Sequence, residues 1–142
     1  MKLIPQLKRE HVEIMRSFSS IKDGVMSGKV GDADLINGLR ELKNILVAHL
    51  DLEDKMLYPA LAKSEVVEAK DLGRKYSVEM LGISKVALAF FGKYMNESIG
   101  DLLKSAEFRK ELDGVISAVT KRVEAEEMIL YPAYEKCCEV SI

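Results

Sequence analysis

Cysteine is scarce in this chain: two among 142 residues, side by side as Cys137 and Cys138. That rules out the disulfide framework that staples small secreted domains. Neighbouring cysteines bridge only through a strained ring, so no structural disulfide is expected between them. Two thiols alone also make a poor metal site. No apolar run reaches eighteen residues, so no membrane span is expected. The start, Met1-Lys2-Leu3-Ile4-Pro5, passes straight into charged sequence and does not read as a signal peptide, which makes the cytoplasm the expected location. A basic excess is missing too. The net charge is −2, which argues against nucleic acid or an anionic membrane as partner.

What is present is helical periodicity. The length suits one domain spanning 1–142 with a real core, and apolar residues recur at spacings of three and four throughout. Helix one starts near Pro5, carries Ile4, Leu7, Met15, Phe18 and Val25 on one face, and stops around Gly28. Asp32 is the expected N-cap of helix two, whose inner face reads Leu35, Leu39, Leu42, Leu46, Met56 and Ala60. Pro59 should kink or stop it. A short piece near 65–69 precedes helix three, whose stripe reads Leu72, Tyr76, Ile83, Val86, Phe90 and Tyr94. Gly82 and Gly92 weaken that helix or permit close packing. Residues 96–104 read as a connection. Ser105 caps helix four, with Leu112, Val115, Val119, Val123, Leu130 and Ala133 inward. The expected fold is all-α, an up-down-up-down four-helix bundle.

One stretch occurs twice. His49-Leu-Asp-Leu-Glu53-Asp54-Lys-Met-Leu-Tyr58-Pro59-Ala60 aligns with Arg122-Val-Glu-Ala-Glu126-Glu127-Met-Ile-Leu-Tyr131-Pro132-Ala133. The copies share an acidic pair followed by Leu-Tyr-Pro-Ala, which relates helices two and four by a pseudo-twofold axis. A carboxylate four residues after a histidine lies about 40° away on the same helical face, the geometry of two ligands for one metal. The second copy keeps the carboxylate and replaces the histidine with arginine.

On helical wheels His11, His49, Glu53, Glu79 and Glu126 all fall among apolar neighbours, so every helix is expected to point an ionisable group inward. A single inward histidine or glutamate is usually a satisfied core or bundle-end residue. Several together are harder to accommodate, because each buried unpaired carboxylate costs several kcal/mol. Two cationic compensators are available. One is a metal ion held by His11 and His49 nitrogens and Glu53 and Glu126 oxygens, a donor mix that suits iron, manganese or zinc. The other is Arg122, four residues before Glu126, whose fixed fork also has the reach for Glu53 or Glu79. Tyr58 and Tyr131 are expected at one bundle end with their hydroxyls wet.

These residues resemble the hemerythrin-like, or HHE cation-binding, family. The carriers are Glu10-His11, His49 with Glu53-Asp54 and Leu57-Tyr58-Pro59, and Glu126-Glu127 with Leu130-Tyr131-Pro132, covering essentially the whole chain. The resemblance implies a four-helix bundle around a di-iron centre bound by five histidines and two bridging carboxylates. Carried over residue by residue, His11 and His49 match the ligands of one iron, and Glu53 and Glu126 match the bridges. The other iron's positions fall on Glu79, Ile83 and Arg122, and none of these is an imidazole. Arginine does not give up its proton in a protein. The expected site is therefore mononuclear, with His11, His49, Glu53 and Glu126 as ligands and Glu79 as a further candidate, and Arg122 as a neutralising charge where the second iron is lost.

The leading functional expectation is a metal-binding protein holding one ion, iron before zinc or manganese. It would sense or handle dioxygen, nitric oxide or redox state. The alternative is a metal-free interaction or signalling bundle in which Arg122 closes a network with Glu53, Glu79 and Glu126, its protein partner unspecified. An oxidase is the least supported, because no dedicated substrate pocket is evident.

Overall fold

A computed structural model describes residues 2–95 and 105–138. Among these residues, six α-helices and two π-helical turns form four antiparallel rods. The first rod is α1 (Leu3–Ser27). The second runs through α2 (Asp32–Leu52), a π turn at Glu53–Leu57 and α3 (Tyr58–Ala62). The third is α4 (Val67–Met95). The fourth runs through α5 (Ala106–Ala125), a π turn at Glu126–Leu130 and α6 (Tyr131–Cys138). The first rod packs on the second and fourth, and the third on the second and fourth, which is the expected four-helix bundle.

Local chemistry sets the ends. Gly28 takes a left-handed conformation (φ 66°) and its N–H bonds to the Gly24 carbonyl, closing α1 at no Cβ cost. Ser105 caps α5 by accepting from the Phe108 N–H at 3.1 Å, as expected. The cap of α2 differs: the helix begins at Asp32 and Gly31 holds the extended cap position. The connection expected at 96–104 lies outside the described residues.

The repeated Leu-Tyr-Pro follows a π turn in both copies. Proline lacks an N–H and its ring collides with the carbonyl four residues back. Widening the preceding turn relieves both problems. The Tyr58 N–H reaches the Glu53 carbonyl and the Tyr131 N–H that of Glu126, five residues back in each case. Pro59 therefore neither stops nor sharply breaks the rod. The extra residue also changes which side chains face inward. Leu57 and Leu61 are buried, whereas Met56, expected inside, is 54% exposed.

The interior has two apolar clusters. One contains Ile14, Phe18, Leu39, Leu42, Phe90, Phe108 and Val119. The other contains Ile4, Leu7, Leu57, Leu61, Tyr76, Leu130 and Tyr131. Between them, on three rods, lies one polar layer. His11 follows Leu7 and precedes Ile14; His49 and Glu53 separate Leu46 from Leu57; Arg122 and Glu126 separate Val119 from Leu130.

The third rod contributes no ionisable group to that layer, contrary to expectation. Its inner face is Ala69, Gly73, Tyr76, Met80, Ala87, Phe90 and Phe91. Glu79 is half exposed, and Val86, read as core, is 58% exposed. Apolar residues on several sides of α4, among them exposed Val78 and Leu81, left the stripe ambiguous until packing chose it. The close approach falls at Gly73, where a Cβ would lie 2.7 Å from Leu61 Cβ, and not at Gly82 or Gly92, whose missing Cβ faces open space.

The cysteine expectation is also corrected. Cys137 and Cys138 are joined by a disulfide. Both are partly buried against the second apolar cluster.

Candidate metal centre

α1 supplies His11, the last turn of α2 supplies His49, and the two π turns begin with Glu53 and Glu126. All four side chains are buried. One donor atom from each lies within 4.8 Å of every other. His11 Nε2 is 3.1 Å from Glu126 Oε1, and His49 Nε2 is 3.4 Å from Glu53 Oε1. The two imidazole centroids are 4.7 Å apart. A void of about 20 Å³ is bordered by these four residues with Met80 and Arg122. That is space for one water or one ion.

Two further carboxylates orient the imidazoles. His49 Nδ1 lies 2.7 Å from Glu10 Oε1, and His11 Nδ1 lies 2.7 Å from Glu127 Oε2. A carboxylate only accepts, so each Nδ1 carries the hydrogen and each Nε2 is turned toward the centre. A carboxylate behind an imidazole fixes its tautomer and strengthens it as a metal ligand. Glu10 and Glu127 were visible in sequence beside His11 and Glu126. Their role was not, because each serves a histidine on another rod.

Tyr131 is the largest departure from expectation. Its side chain is fully buried. Its hydroxyl donates to Glu53 Oε2 at 2.8 Å and lies 3.0 Å from His11 Nε2 and 3.4 Å from Glu126 Oε1. In a continuous α-helix Tyr131 would sit about 140° around from Glu126; through a π turn of about 4.4 residues the angle closes to about 50°. The Tyr-Pro after each acidic pair was the available signal. Tyr58, also buried, accepts a hydrogen bond from Arg122 Nη2 at 2.9 Å, so both hydroxyls are bonded inside the protein.

Arg122 fills the other side of the layer. Nη2 also donates to the Tyr76 carbonyl at 2.7 Å, and the guanidinium lies 4.6 Å over the Tyr76 ring. Nε is 3.4 Å from Glu126 Oε2 and Nη1 is 3.5 Å from Glu79 Oε2. Glu79 thus reaches the centre's edge only as a half-exposed partner of Arg122, outside the four-residue group. The notion of Glu79 as an inward ligand is corrected on that ground.

The electrostatics are unsettled without a cation. Burial pushes the Glu53 carboxyl well above its ordinary range, and the charge of Glu126 pushes it further. Glu126 is also buried, but bonds from His11 and Glu53 and the charge of Arg122 overcome that and hold it below the usual value. Burial disfavours charge on His11, yet Glu126 and Glu127 outweigh it and raise its pKa. His49 is lowered by burial and by the His11 charge. Even so, Glu53 Oε1, Glu126 Oε2 and Arg122 Nε are buried with no hydrogen-bond partner. Orphaned buried carboxylate oxygens are costly, and a dication between two imidazoles and two carboxylates is what this donor set suits. The residues fit a metal.

A helical bundle with an inward imidazole–carboxylate layer belongs to the class of cation-binding four-helix bundles. Within that class, the sequence pattern of the hemerythrin HHE cation-binding domain matches residues 2–134, and the chain belongs to that family. No curated protein and no solved structure gave a match. Among the described residues no helix is long and apolar enough to cross a membrane.

Proposed function

We propose that this chain binds one transition-metal ion, iron in the first place, through His11, His49, Glu53 and Glu126, and uses it to sense or handle dioxygen, nitric oxide or redox state. The observation that carries the reading is the convergence of four buried donors with orphaned oxygens on both carboxylates. Arg122 supports a single ion. It brings a permanent positive charge to the side where the resemblance puts a second iron, and the third rod lines the void with Met80, Ile83, Ser84 and Ala87, offering neither an imidazole nor a carboxylate. Zinc and manganese suit the same donors.

A groove of about 360 Å³ between α2 and α4 borders Glu53. It shares Leu50, Met80 and Ser84 with the central void. A diatomic molecule could enter by that route, whereas a 20 Å³ void has no room for an organic substrate. This disfavours an oxidase. The metal-free alternative requires a closed network around Arg122. Arg122 reaches Glu126 and Glu79 but makes no ion pair with Glu53, and Glu53 Oε1 and Glu126 Oε2 still accept no hydrogen bond.

Metal analysis of protein purified without chelator, then reconstituted with ferrous ion, tests the reading. About one ion per chain in the parent and a large loss in His49→Ala are expected. Metal well below one per chain after reconstitution, unchanged by that substitution, would sink it.

A further inference from the structure

Tyr131 is a side chain for which four protein ligands alone give no account. A hydroxyl that merely satisfied Glu53 needs one contact, yet this one stands within 3.4 Å of three of the four donor residues. Neighbouring ligands on one metal, each about 2.1 Å from it, are about 3 Å apart when they subtend a right angle. The Tyr131 oxygen keeps that separation from Glu53 Oε2 and His11 Nε2. The ring is held in place, stacked on His11 with centroids 5.4 Å apart and planes 14° apart.

The sequence repeat supplies an internal contrast. Tyr58 occupies the equivalent position in the other copy, but its oxygen is committed to Arg122 Nη2. Each tyrosine thus faces one cationic centre. Tyr58 meets the guanidinium, and Tyr131 meets the place where the metal donors converge. The arrangement is that of one built site with two chemically different halves.

We propose that the Tyr131 phenol oxygen is a fifth protein donor to the cation held by His11, His49, Glu53 and Glu126, and that it favours the ferric state. This rests on the metal-binding reading above. Ferric ion displaces the phenol proton, which leaves to solvent; the O–H bond breaks, an O–metal bond forms, and no electron is transferred. One phenolate and two carboxylates balance three positive charges, so the inner shell around ferric ion is neutral, as a buried site requires.

The test adds ferric nitrilotriacetate to the metal-free full chain, removes unbound iron, and measures iron per chain with the visible spectrum. A ferric ion bound by phenolate gives a visible charge-transfer band with tyrosinate modes in its resonance Raman spectrum. The expected result is about one iron per chain with that band in the parent. Tyr131→Phe should retain iron with the band reduced at least about tenfold, and Tyr58→Phe should retain both. Iron-loaded parent without tyrosinate modes, or Tyr131→Phe with the full band, overturns the proposal. If the parent binds no iron, the metal-binding reading itself falls, and the iron assay separates that failure from the other. Should Tyr131→Phe not fold, the modes in the parent, kept in Tyr58→Phe, carry the decision.

Discussion

Replacing Arg122 by alanine in metal-free protein should destabilise the bundle by about 3–5 kcal/mol, the usual cost of removing one partner from a buried charge pair. The structure accounts for that size. Arg122 gives two charged hydrogen bonds, to Tyr58 Oη at 2.9 Å and the Tyr76 carbonyl at 2.7 Å, each contributing about 1.5–3 kcal/mol. It also stacks on the Tyr76 ring, adding about 1–2 kcal/mol. Glu126 taking up a proton, and water entering the space left, return part of the sum. For a chain of this size about 3–5 kcal/mol corresponds to roughly 6–20 °C in Tm. The assay is urea and thermal unfolding by circular dichroism in EDTA. Arg122→Lys, which keeps charge near Glu126 but cannot hold both Tyr58 and Tyr76 with a rigid fork, should recover about half the loss. Saturating zinc should shrink the penalty of Arg122→Ala, because the metal then neutralises Glu126. A loss below about 1 kcal/mol in EDTA would refute the argument, since it would mean the buried carboxylates need no fixed cation.

Glu10→Gln and Glu127→Gln should each weaken metal affinity by about 10–100-fold while leaving the fold intact; competition against a chromogenic chelator checks this, and an unchanged Kd in both would remove the orienting role. Metal affinity should fall as pH falls. His11 has its pKa raised above 6.5 and Glu53 its own well above 4.5; below each group's pKa the metal must displace a proton, which lowers apparent affinity about tenfold per pH unit. A flat affinity between about pH 8 and about pH 5 would contradict the assignment of both as ligands. Gly73→Ala should cost about 1–3 kcal/mol, because its Cβ meets Leu61 Cβ at 2.7 Å. Gly82→Ala, facing open space on the exposed side of α4, should instead stabilise by about 0.5–1 kcal/mol in the same denaturation experiment; the opposite order would show that α4 packs differently. Ile83→His combined with Arg122→His should raise metal content above one per chain, as measured by elemental analysis, while a content unchanged from the parent would show that the second half-site lacks more than imidazoles.

Much of the fold could be read from residue spacing. Gly28 closes α1, Ser105 caps α5, and His11, His49, Glu53 and Glu126 fall inside, because those inferences depend on local backbone rules and on helical phase within an unbroken α segment. Phase failed where the helix ceased to be α. The π turns at Glu53–Leu57 and Glu126–Leu130 turn Leu57, Leu61 and Tyr131 inward and Met56 outward. Phase also failed on α4, where apolar residues on several sides left Glu79 and Val86 misplaced until Gly73 and Met80 were seen to make the contact face.

The sequence by itself determined four amphipathic segments, the repeat that relates two of them, and a set of acids and imidazoles too polar to lie among leucines without a counter-charge, because periodicity and the cost of burying charge are local or additive properties. Only the tertiary structure decided which rod each group serves: Glu10 behind the histidine of the second rod, Glu127 behind that of the first, Tyr131 among the donors, and Arg122 bonded to Tyr58 and Tyr76. Those pairings join residues up to 120 positions apart, and a separation of that kind is fixed by how the rods pack and where two of them are widened by π turns, which no stretch of chain encodes alone.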